Sequence, residues 1–86
     1  MLGYKLRFPI VYLGDGYYAF GLKKVFIKIL MQSLVVKVGT GYLPFNEFMD
    51  IYYEKEANHL EELAMNQHKT VEDLVKEFVL KLEQEE

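Results

Sequence analysis

The chain is 86 residues, 51% hydrophobic and with thirteen Tyr and Phe, which is enough for one domain with a modest core and excludes a disordered chain. It has no cysteine, so disulfides and thiolate metal sites are excluded, as expected of an intracellular protein, and no apolar run reaches the ~20 residues of a membrane span. The net charge of −3 hides a split: residues 1–43 carry six basic residues against Asp15, and residues 44–86 carry four lysines against twelve acids. That division predicts a single domain with a basic, β-rich half (1–43) and an acidic, helical half (44–86). A solvated surface with no further role accounts for the same charges. No signal peptide is expected at the start of this sequence, since Lys5 and Arg7 lead to Pro9 and Asp15 rather than to a long apolar run.

In chain order, Tyr4, Leu6 and Phe8 alternate with Lys5 and Arg7, which predicts a strand over residues 4–8. Pro9 marks an edge or a break, and residues 10–13 continue after it. Gly14-Asp15-Gly16 predicts a turn, residues 17–20 a short strand, and Gly21 its end. The stretch 25–42 organises the rest. Val25, Ile27 and Ile29 alternate with Phe26, Lys28 and Leu30, and Met31-Gln32-Ser33 is short enough for a hairpin. Leu34, Val36 and Val38 then alternate with Val35 and Lys37. Gly39-Thr40-Gly41 predicts a corner that launches a helix, with Gly39 or Gly41 at positive φ. On that reading Gly41→Val costs on the order of 1–3 kcal/mol in strain.

From Pro44 the period becomes helical. Phe45, Phe48, Met49, Tyr52, Leu60 and Leu63 form a stripe, interrupted by Glu56 and His59, and predict a helix over about 45–65 with room for a bend near Ala57-Asn58. Residues 66–69 read as a connection. Thr70, with Asp73 three residues on, resembles a capping box at the start of a second helix. Its stripe is Val71, Leu74, Val75, Phe78, Val79 and Leu82, and it ends by fraying at residues 84–86. Leu74, Phe78 and Leu82 must be buried, either on the domain's own sheet or on a partner. The expected fold is α+β: a small, mainly antiparallel sheet of about four strands followed by two helices packed on one face.

Nothing in this pattern assembles a catalytic site. Glu56-x-x-His59 has the spacing of carboxylate-bridged metal sites, but no second such pair occurs, so a solvated helix face is the expectation. His68 reads as a loop residue, and Ser33 lies in no nucleophile motif. The glycine turns lack the lysine and hydroxyl of a phosphate loop. Tyr17, Tyr18, Tyr42, Tyr52 and Tyr53 could offer a stacking surface to nucleic acid, yet twelve acids in one half would repel phosphate. The expectation is therefore a non-enzyme with no cofactor, no metal, no nucleic acid and no membrane.

A strand containing Lys28, then Val36-Lys37-Val38-Gly39-Thr40-Gly41-Tyr42, then Phe45-Asn46-Glu47-Phe48, resembles the GAR domain. That is the microtubule-binding module related to growth-arrest-specific protein 2 and found in spectraplakins. Tyr18 to Gly21, ahead of Lys23-Lys24, sits where the family has an aromatic-x-hydrophobic-Gly segment, so the likeness spans residues 17–53. Thr40 stands for the family's middle glycine, Tyr42 for its tryptophan and Lys37 for its arginine. Nothing at Tyr53-Glu54-Lys55-Glu56-Ala57 matches its His-Asp-Pro-Cys-Arg segment, so the zinc associated with GAR domains is not carried over. The resemblance implies a cytoplasmic, cytoskeletal module that binds tubulin's acidic surface through Lys23, Lys24, Lys28 and Lys37. Gly39, Gly41 and Tyr42 would form its structural turn. A small chain of this kind would also suit a larger assembly such as the axoneme of a cilium. The alternative is a structural or scaffold subunit whose C-terminal helices dock a partner protein.

Overall fold

A computed structural model describes residues 6–84. The alternation in the first half becomes five strands, β1 (Ile10–Gly14), β2 (Tyr17–Phe20), β3 (Lys23–Leu30), β4 (Ser33–Val38) and β5 (Gly41–Pro44). Each pairs antiparallel with the next in a single meander. Two helices follow, α1 (Phe45–Gln67) and α2 (Val71–Gln84). The fold is α+β, with five strands rather than about four.

The extra strand is β5. Gly39-Thr40 turns the chain back along β4, not directly into a helix, and Val38 pairs with Gly41, Lys37 with Tyr42 and Val36 with Leu43. Gly39 takes φ +59°, as the turn requires, while Gly41 is an ordinary strand residue. A Cβ at Gly41 would meet nothing within 4 Å, so the strain expected of Gly41→Val does not arise there and belongs to Gly39. Pro44 closes β5, which is tolerated because β5 is an edge strand.

The N-terminal expectation also changes. Tyr4 and Lys5 lie outside the described residues, and of the rest Arg7 and Phe8 form a bend, with neither they nor Leu6 paired with the sheet. The reason is packing: Phe8 is buried between Phe20, at 5.1 Å edge-on, and Tyr53, at 4.9 Å stacked. The Arg7 amide donates to the Tyr53 hydroxyl. The Arg7 guanidinium grips both Glu61 oxygens at 3.1 and 2.7 Å, and Asn58 at 2.9 Å.

α1 runs unbroken past Ala57. Its Phe48, Met49, Ala57, Leu60 and Ala64 bury against Phe20 and Val36 of the sheet. It ends in a left-handed His68, with the Lys69 amide donating to Ala64 O at 2.9 Å, the αL ending of a Schellman motif. Thr70 and Asp73 then form a reciprocal capping box, Asp73 N to Thr70 Oγ1 at 3.0 Å and Thr70 N to Asp73 Oδ2 at 3.4 Å. α2 buries Leu74 and Val75 in the same core. Its Val75 and Val79 lie beside Pro9 and Val11 of the β1 region, and its Leu82 and Glu83 beside Leu13, Tyr17 and Lys24.

Candidate functional site

Alternation sorts the lysines. Side chains of cross-strand partners share a face, so Lys23, paired with Phe20, points to the α1 side, while Lys24, paired with Ala19, points to the other. Lys28 follows Lys24 at even spacing. Lys37 pairs with Tyr42, outward of Val36, which is fully buried under α1. Lys24, Lys28 and Lys37 therefore share one face of the sheet. Lys23 does not belong with them: its ammonium sits 3.7 Å from Glu56 on α1.

Aromatic rings are set between these cations. The Lys24 ammonium lies 4.7 Å from the centre of the Tyr17 ring, and the Lys28 ammonium 4.7 Å from that of Tyr42. Tyr17 also meets Phe26 edge-on at 5.2 Å. To reach Tyr42 on β5, Lys28 must cross β4, where Val35 is its cross-strand partner. Val35 is itself buried. The result is a surface of cations held in place by rings, with Lys37 exposed beside them. Lys24 shares a shallow cleft with Glu83 of α2, so the part of the face free of acid is built on β3, β4 and β5.

The other proposed residues sit elsewhere. Gly39 makes the β4–β5 turn, Gly41 starts β5, and Tyr42 belongs to the lysine face. Leu74 is buried in the domain's own core. Phe78 lines a crevice with Leu22, Leu63 and Leu74, and Leu82 lies against the β1–β2 turn. The stripe read as a partner-docking surface is thus largely covered within the domain. Glu56 is the residue that periodicity misplaced. It is 3% exposed, its Oε2 accepts the Leu22 amide at 2.9 Å, and it is packed against Gly21. With Glu56 turned inward and His59 exposed, the pair cannot face one ion. Among the described residues no three His, Cys, Asp or Glu side chains come together as metal ligands, so these residues do not fit a zinc site.

Comparison with curated proteins and with solved structures yields no match. A family model of the growth-arrest-specific protein 2 domain matches residues 3–54, from the N-terminal segment through the sheet to the first turns of α1. The chain belongs to that family, the GAR domains, which are cytoskeleton-associated binding modules and not a family of enzymes.

Proposed function

We propose that this domain binds microtubules by laying the β3–β4–β5 face on the acidic surface of tubulin, with Lys28 and Lys37 as the principal contacts and Lys24 at the margin. The observation that carries this reading is the alignment of those lysines with Tyr17 and Tyr42 on a sheet face that α1 leaves open. A ring beneath an ammonium fixes the cation without neutralising it, so less side-chain freedom is lost on contact with a carboxylate. Lys23 is left out, because Glu56 already faces it. The setting is cytoplasmic, on cytoskeletal microtubules including those of a cilium. The scaffold alternative loses Leu74 and Val75, which are committed to the core, and would have to use the exposed Ile51, Met65 and Leu80 of the helices instead.

Exposed ion pairs contribute up to about 1 kcal/mol each and are screened over ~8 Å at physiological salt. Reversing both charges, Lys28→Glu with Lys37→Glu, replaces attraction by repulsion at two points and should weaken microtubule co-pelleting at least tenfold. The melting temperature should stay close to wild type, since neither side chain is in the core. Wild-type binding should fall steeply as salt rises. Undiminished co-pelleting of the folded double variant would refute the assignment of this face.

A further inference from the structure

The β3–β4 hairpin joins the two longest strands of the sheet, and its far end is uncovered. Met31 is 91% exposed and Ile29 72%, with Leu30 and Leu34 also exposed beside them. Ile29 and Leu34 are cross-strand partners on the α1 side, but α1 starts at Phe45, which borders only Leu34 across a shallow crevice and leaves Ile29 bare. Leu30 points to the lysine face. Four apolar side chains thus crown one projecting tip, with only Gln32 and Ser33 as polar neighbours in the turn.

The turn itself is unusual. Leu30 pairs with Ser33, so Met31 and Gln32 form a two-residue loop, and both are left-handed, at φ +50° and +67°. Such loops ordinarily use Asn-Gly, which adopts that conformation with little strain. Here a strained backbone holds an exposed methionine outward. Met adapts to irregular apolar clefts, which suits a contact more than a connection. The tip is also continuous with the proposed contact face: residues 23–38 contain four lysines and no acid, and Lys28 is next to Ile29.

We infer that the Ile29, Leu30, Met31 and Leu34 tip is an apolar anchor that inserts into a cleft, rimmed by carboxylates, on the same protein filament that the lysine face grips. The inference rests on the microtubule reading above. A protein surface fits better than an anionic bilayer because Lys24, Lys28 and Lys37 lie on one side only, and Lys23 on the other side already faces Glu56. On the other side, the exposed Glu47 and Asp50 of α1 would oppose lipid headgroups. Charge gives the filament encounter and the salt dependence, and the tip gives the contact that salt does not screen.

Two variants separate anchor from fold. Met31→Asn with Gln32→Gly supplies the favoured turn and removes the methionine, and should raise the melting temperature while weakening microtubule binding about tenfold. Ile29→Thr with Leu34→Thr keeps β-branched or strand-compatible residues in place and should weaken binding similarly. Co-pelleting across a salt series is the readout. Both tip variants should keep the wild-type salt slope at a lower affinity, whereas Lys28→Glu with Lys37→Glu should flatten the slope. Tip variants that bind like wild type at every salt concentration would overturn the anchor and leave the lysine face standing. Wild type that fails to pellet even at low salt would overturn the microtubule reading and the anchor with it. Wild-type flotation with phosphatidylserine vesicles, lost in the tip variants, would reassign the tip to membranes and overturn the inference.

Discussion

Glu56 shows how one side chain can join the two halves of the domain. It leaves a solvent-directed helical position in name only: the β2–β3 turn folds over it, and its carboxylate accepts the Leu22 amide that a tight turn would otherwise strand. The turn can approach so closely because Gly21 has no side chain. A Cβ there would fall 2.5 Å from Glu56 Cγ, and φ is +62° besides. Glu56→Ala should therefore cost roughly 1–3 kcal/mol, from a part-buried amide left without an acceptor. Glu56→Gln, which keeps an oxygen in reach of Leu22, should cost clearly less. Urea denaturation of the three proteins gives the comparison, and equal costs would mean that the charge and not the hydrogen bond matters. A glutamate inside an apolar stripe reads as an interruption from sequence, because its hydrogen-bond donor, the Leu22 amide, lies thirty-four residues away in the β2–β3 turn. The separation of Lys23 from Lys24 was not legible, because the sequence pattern starts the strand at Val25; with β3 starting at Lys23, adjacent residues point to opposite faces.

Among the elements, β3, β4 and both helices were long enough to show a period, and the short β2 was legible from the glycines that bound it, Gly16 and Gly21. β5 was not, since four residues between a glycine turn and a proline are too few to alternate visibly. Residues 6–8 misled in the opposite way. Their alternation is real, but Arg7 and Phe8 are used on α1, through contacts that span some fifty residues. α2 illustrates a well-signalled element whose partner was undecidable. Its capping box and stripe were readable, and only the structure supplies Leu22 and Leu63 as the neighbours of Leu74 and Phe78. Because Leu74 is buried, Leu74→Ala should destabilise the isolated domain by roughly 2–5 kcal/mol. Phe78 is only half-buried, so Phe78→Ala should cost less than the same change in a closed core. Thermal melts with the oligomeric state monitored decide it. An isolated chain that melts unchanged after Leu74→Ala would show that α2 does not stabilise this domain.

Across the whole molecule, sequence-distant charges close the structure where the sheet cannot. The Arg7 fork on Glu61 is the principal cause that holds the Glu61 carboxyl below its ordinary range, through the hydrogen bonds first and the nearby positive charge second. A folded-state value below the unfolded one means that the contribution is present above the ordinary carboxylate range and is lost as pH falls through the depressed value. Both groups are exposed to solvent, so the effect is modest and salt-sensitive. Glu61→Gln should lower stability at neutral pH, and the difference from wild type should vanish in acid. A difference that persists at low pH would show that Glu61 acts through packing instead.

The ends of the meander bear on what happens when many copies crowd together. Among the described residues the sheet ends in two edge strands, β1 and β5, and an unpaired edge is a template for another chain's strand. Both are blunted. Pro9 precedes β1, whose pairing slips between Tyr12 and Gly14, and Pro44 ends β5 without an amide to donate. Copies arrayed densely along a polymer would thus stay separate modules, coupled through what they bind and not by edge-to-edge aggregation.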